Sequence, residues 1–240
     1  MWSSIPEEVI PAASRVTPAN LGYPPFPLVP RGRRVTVQDD GAHLLSQLPE
    51  GDFDLFAHSY GGLMALELLP ALQGRLRSLF LLEPVLFGAL SRDLTAEPAA
   101  AAQAREFEQH PWFLTDEARG GTEPWLEHFI DYWNRPGAWA RMPEPMRVHN
   151  LTVGWKMFQE VRSVFLDPKT FDERVLPQLP VTLVMGERSP AASREMVRSL
   201  ARRNPHAKVV ELPGTGHMAP LTHAGKVHEA MAQHLRGVTG

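Results

Sequence analysis

Asp52 to Leu72 runs DFDLFAHSYGGLMALELLPAL: a short apolar run, a turn of small residues, then a second apolar run long enough for a helix. Six residues, Asp52–Ala57, are too few for a helix and suit a buried strand. Leu63–Leu72 has the length and composition of a helix packed on a sheet. Between them, Ala57-His58-Ser59-Tyr60-Gly61-Gly62 matches the small-x-Ser-x-small pattern of a nucleophile elbow. Such a turn holds its serine in a strained backbone conformation, so the residues two places before and after it must be small. Ala57 and Gly61 meet that demand. The turn lifts the hydroxyl above the carboxyl edge of the sheet and points the positive end of the next helix at the same spot. Ser59 is the candidate nucleophile; the plainer reading is a helix-capping serine in a tight turn.

Outward from this stretch, strands and helices alternate. Arg77–Glu83 (RSLFLLE) reads as a second buried strand, halted by Pro84. Pro180–Gly186 is a third, followed by a helix over 190–203; Ala207–Leu212 is a fourth, followed by a helix over 222–236. This order implies right-handed βαβ crossovers and a mostly parallel sheet. Before the elbow, the prolines at 24, 25, 27 and 30 mark residues 19–34 as loop, and Asp39-Asp40 opens a short helix through Leu48. Residues 85–170 differ: they hold no strand pattern, three helical ones (97–109, 122–134, 145–166), and Trp112, Trp125, Trp133, Trp139 and Trp155. The expected fold is α/β, with residues 1–84 and 171–240 as the core and 85–170 as an inserted helical cap over one end of the sheet. Its aromatic side chains suit an apolar pocket, and equally the cap's own core.

Composition narrows the chemistry. With 240 residues the chain can bury a substantial core, and with no cysteine it has no disulfide, thiol nucleophile or Cys-ligated metal. A net charge of −3 lacks the basic footprint of a nucleic-acid binder. A hydrophobic content of 43% is too high for disorder, and no apolar run reaches 18 residues. The opening MWSSIPEEVIPA lacks the basic and apolar segments of a signal peptide, so the cytoplasm is the expected compartment. No H-E-x-x-H, G-x-x-x-x-G-K-[ST] or G-x-G-x-x-G occurs, and neither a metal nor a nucleotide cofactor is expected.

His217 lies in Gly214-Thr215-Gly216-His217-Met218, in the loop after the last strand, which opens at the same sheet edge as the elbow. A glycine-flanked loop lets a base sit near the serine and shift slightly, so His217 is the candidate general base. The other histidines read as structural or solvated, His58 included, with its side chain turned away from substrate.

The AHSYGG elbow and GTGHMAP loop together resemble the α/β-hydrolase fold family, over roughly residue 14 to the C-terminus. The resemblance implies hydrolysis by a Ser–acid–His triad through an acyl-enzyme, without a cofactor. Ser59 would be the nucleophile, His217 the base, and the Tyr60 amide one oxyanion-hole donor. The family's acid usually lies in the loop after the strand preceding the histidine strand. Here that loop reads Gly186-Glu187-Arg188-Ser189-Pro190, with Ser189 where an Asp is expected. Two carboxylates could substitute. Glu83 ends the strand after the nucleophile helix, a position from which some family lipases supply their acid, and Glu187 stands two places early in the usual loop. A carboxylate at a buried strand end needs a partner, which favours Glu83.

Family members also begin with two or three further strands and a His-Gly loop that supplies the other oxyanion amide. Here Arg15-Val16-Thr17-Pro18 resembles the family's fourth strand, and nothing upstream resembles the first three. Either the natural start lies further upstream, or residues 14–18 take the vacant place beside the nucleophile strand. The expected activity is hydrolysis of a small ester or related acyl compound with an apolar acyl or aryl group. The alternatives are C–C bond hydrolysis or peracid formation by the same triad, or a truncated, non-catalytic fold that binds an apolar ligand.

Overall fold

The computed structural model describes residues 2–72 and 74–238. Strands β1 (Phe53–His58), β2 (Leu76–Leu82), β3 (Val181–Gly186) and β4 (Lys208–Leu212) form one parallel sheet, laid side by side in chain order. The expected strand bounds hold to within one residue. Parallel neighbours need crossover connections, and helices provide them. β1 is followed by α2 (Tyr60–Leu68), β3 by α7 (Ala191–Arg203) and β4 by α9 (Ala224–Val238).

Alternation along β2 divides the core in two. Leu79 and Leu81 join Leu63, Leu183, Met196 and Leu200 on one face, while Phe80 and Leu82 join Val184, Val227 and Met231 on the other. All of these are essentially fully buried, as expected where helices cover both faces of a parallel sheet.

Between β2 and β3 stand four helices: α3 (Phe87–Arg92), α4 (Pro98–Glu108), α5 (Glu123–Trp133) and α6 (Glu144–Leu166). The alanine run gives α4 a thin face, so Ala100, Ala101 and Ala104 bury closely. Phe113 stacks on Trp125 with ring centres 5.2 Å apart, and both are buried. This aromatic core is continuous with the α2–α7 face of the sheet. Gly154 of α6 passes so close to the turn at Gly121 that a side chain's Cβ would lie 2.2 Å from the Gly121 carbonyl oxygen.

Four local expectations are corrected. The helix expected from Asp39 to Leu48 is α1 (Val37–Leu45): Thr36 caps it, and the Asp39 carboxylate accepts from the Thr36 amide in return. Asp39 is thus the third helical residue of a capping box rather than the cap. The helix after the elbow begins at Tyr60, three residues early, because the turn delivers the chain already in helical conformation. The last helix is split, with a one-turn α8 (Ala219–Thr222) preceding α9. Finally, residues 14–18 form no strand. Side chains fix this segment instead: the Arg15 Nε donates to the Ile10 carbonyl, while the Ala19 amide donates to Gln47 Oε1 at 3.1 Å. β1 is therefore an edge strand among the described residues. No helix among them is long and apolar enough to cross a membrane.

Candidate active site

Ser59 stands at the junction of β1 and α2 with φ 56° and ψ −123°. A non-glycine residue in that region is strained, and the turn's hydrogen bonds hold it there. The Ser59 amide donates to the Leu82 carbonyl at 3.1 Å, and the Gly62 amide donates back to the Ser59 carbonyl at 2.8 Å. The tightest packing is one residue later than the sequence pattern suggests. A Cβ at Gly61 would sit 4.0 Å from the Ala57 Cβ, an ordinary contact, whereas one at Gly62 would lie 2.6 Å from the Pro84 Cβ.

Glu83 follows the last residue of β2 and also has a left-handed backbone, φ 44°. Its side chain is fully buried and takes four hydrogen bonds. Oε1 accepts from the Gly186 amide at 2.6 Å and from the Ser189 hydroxyl; Oε2 accepts from the Ser193 hydroxyl at 2.8 Å and from His217 Nδ1 at 2.6 Å. Burial alone would raise its pKa, but the His217 contact and the other donors outweigh burial and hold it down at about 2.

His217 is held from several sides. Because the carboxylate can only accept, Nδ1 carries the proton, leaving Nε2 to accept from the Ser59 hydroxyl at 3.0 Å. From below, His58 Nε2 donates to the His217 carbonyl at 2.9 Å. Burial and the neighbouring His217 push the His58 pKa down to about 3, so His58 is a neutral brace. From above, Trp133 of α5 stacks on the imidazole, with ring centres 3.7 Å apart and planes inclined by 25°.

The structure thus brings Ser59, His217 and Glu83 into one hydrogen-bonded chain. Glu187 is not part of it: its exposed side chain accepts from the Gly214 amide at 2.6 Å and braces the histidine loop from outside. Ser189, in the expected acid position, instead donates to the carboxylate that arrives from the neighbouring strand. The Tyr60 amide opens α2, where an N–H has no carbonyl one turn back to satisfy it.

The sequence reading missed Trp133, Ser189, Ser193 and the bracing role of His58. For Ser189 and Ser193 a signal existed: two hydroxyls flank a loop already marked as the family's acid site. Ser59 opens onto a cleft walled by Phe87, Phe129, Trp133 and Phe165, with Tyr23 and Glu160 also on its lining. A largely apolar lining with a few polar groups is what small organic ligands occupy.

A family model described as the alpha/beta hydrolase family matches residues 2–230. No curated protein matches the sequence. Among solved structures of similar fold is a bromoperoxidase from Bacillus anthracis, 16% identical with a TM-score of 0.62 over 90% of this chain and 79% of the other. A thermophilic esterase from Thermogutta terrifontis is 17% identical with a TM-score of 0.54, over 91% and 78% of the two chains. The serine hydrolase CarC, involved in carbazole degradation, is 14% identical with a TM-score of 0.58, over 90% and 77%. At these identities the likeness is one of fold.

Proposed function

We propose that this chain, which belongs to the alpha/beta hydrolase family, is a serine hydrolase cleaving a small ester or related acyl compound. The observation that carries the reading is the chain from Ser59 Oγ through His217 to Glu83, opening on an apolar cleft. His217 Nε2 takes the proton as Ser59 attacks the carbonyl carbon. The imidazolium so formed lies between the Glu83 carboxylate in its plane and the Trp133 face above it. The Tyr60 amide donates to the developing oxyanion. His217 then returns the proton to the leaving alcohol, and a water activated by the same nitrogen hydrolyses the acyl-enzyme. Residues 85–170 act as a cap whose aromatic side chains hold the apolar acyl or aryl group.

The test is fluorophosphonate labelling of the purified chain, with the adduct located by mass spectrometry. Labelling at Ser59, lost in Ser59→Ala and reduced on the order of 10³-fold or more in rate in His217→Ala, is expected. A folded protein that takes no label would overturn the reading. It would favour a non-catalytic, ligand-binding fold, the reading that the unpaired outer edge of β1 beside Ser59 supports.

A further inference from the structure

The wall of the cleft is not uniformly apolar. Behind it lies a cluster of buried ionisable groups drawn from α1, α2, α6 and the loop before α1. Lys156 Nζ donates to Asp40 Oδ2 at 2.9 Å and to Glu160 Oε1 at 2.7 Å. The Tyr23 hydroxyl donates to Glu160 Oε2 at 2.9 Å, and the Tyr60 hydroxyl to Asp40 Oδ2 at 2.5 Å. The cluster therefore includes Tyr60, the residue next to Ser59.

Its charges do not balance. Two carboxylates face one ammonium, and both Lys156 (1% exposed) and Asp40 (3%) are sealed from solvent. Asp40 Oδ1 has no hydrogen-bond partner. An uncompensated negative charge in a dry site is costly, and a proton or a cation relieves it. Of the three charged residues Glu160 lines the cleft, with Lys156 on its Oε1 and Tyr23 on its Oε2, while Lys156 and Asp40 are not part of the lining. Burial raises the Glu160 pKa against the opposing pull of Lys156, consistent with a site that takes up positive charge. Phe129, Tyr132 and Trp133 line the same cleft, and aromatic rings attract cations through their π faces.

We propose that the cleft selects acyl compounds whose non-reacting end carries a quaternary or protonated amine, held by Glu160 among these aromatic rings. The inference rests on the reading of this cleft as the substrate pocket of a serine hydrolase. It would make Glu160 a specificity residue, with Lys156, Asp40 and Tyr23 fixing its position.

The test uses two nearly isosteric p-nitrophenyl esters: 4-(trimethylammonio)butanoate and its neutral counterpart 5,5-dimethylhexanoate. The expected wild-type result is a kcat/KM at least about tenfold higher for the cationic ester, expressed mainly in KM. In Glu160→Gln that ratio should collapse toward one, and Glu160→Asp, which keeps the charge, should retain part of it. The Gln variant leaves Lys156 paired with Asp40 and keeps an acceptor for Lys156, so the cluster survives. A wild-type ratio at or below one, or one unchanged in Glu160→Gln, would overturn the proposal.

Calorimetry with butyltrimethylammonium needs no turnover and separates the two readings. If Ser59 takes no fluorophosphonate and neither ester is cleaved, the hydrolase reading fails. Binding of the ion that is lost in Glu160→Gln would still support the cation site, and absence of binding to the wild type would overturn it.

Discussion

Two histidines join acid and hydroxyl groups at opposite ends of the same strands, and they are wired in opposite senses. At the carboxyl edge His217 donates to Glu83 and accepts from Ser59. At the amino end, the Asp54 carboxylate accepts from the Ser78 hydroxyl at 2.7 Å, while His234 lies 2.9 Å from Ser78 and 2.8 Å from Thr182. With its proton given to Asp54, Ser78 can only accept, so His234 donates to that serine and takes the Thr182 hydroxyl on its other nitrogen. The lower serine is therefore a proton acceptor toward its histidine and cannot be activated by it. Ser78, His234 and Thr182 are all buried, where they tie α9 to β2 and β3. Residue types alone do not make a nucleophile: the acid must sit on the histidine, and the serine must end the chain at an open cleft.

The comparison can be broken most forcefully at Glu83. Glu83→Gln places an amide donor against His217 Nδ1 and favours the wrong tautomer, so the acylation rate should fall on the order of 10⁴-fold in a folded protein. A loss under tenfold, in stopped-flow acylation with a p-nitrophenyl ester, would mean that the upper chain is structural like the lower one.

His234→Ala should show the converse, a loss of about 1–3 kcal/mol in stability with kcat/KM unchanged. This substitution also has a pH signature. Burial lowers the His234 pKa, so the unfolded chain binds the proton more readily and wild-type stability falls as pH drops below the ordinary histidine range. Without His234, the decline between about pH 7 and pH 5 should be shallower in urea denaturation curves; an unchanged slope would count against a buried neutral ring.

The smallest effect is expected at Glu187, the other carboxylate near the histidine loop. Glu187→Gln should change stability by no more than about 0.5 kcal/mol and rate by less than about threefold. A larger rate effect would sharpen the role of the Gly214 brace in aiming His217.

Much of the sheet was legible because β2 and β3 are short apolar runs with turn residues at both ends, a local signal. The elbow and histidine loop were legible for the same reason, since glycine marks both. The choice of Glu83 over Glu187 rested on burial, a property that the apolar run before Glu83 already displays. The contact between Trp133 and His217 joins residues 84 positions apart and has no local pattern. Lys156 and Glu160, four apart on α6, look like a solvated ion pair in sequence, and burial emerges only when the loop carrying Tyr23 and the helix carrying Asp40 close over them. The residues around Arg15 looked like a strand because their composition permits one, but a strand also needs a neighbour's edge, and this segment is held instead by the Arg15 bond to the Ile10 carbonyl and by Gln47, just after α1, on the backbone of Ala19.

Ser59 and Glu83 share a left-handed backbone, but folding alone would retain only one of the two side chains. Each lies just beyond the end of its strand with a backbone that glycine would adopt without penalty. A lineage selected for stability alone would drift toward glycine at Ser59, releasing about 1 kcal/mol or more of strain. At Glu83 drift would meet opposition, because the four donors around the carboxylate would lose their acceptor. The two sites therefore differ in how quickly they would decay once activity ceased to matter. The serine can be lost at a gain, the glutamate only at a loss, and a descendant of this chain that had abandoned catalysis would be recognised by a vacant elbow above an intact acid.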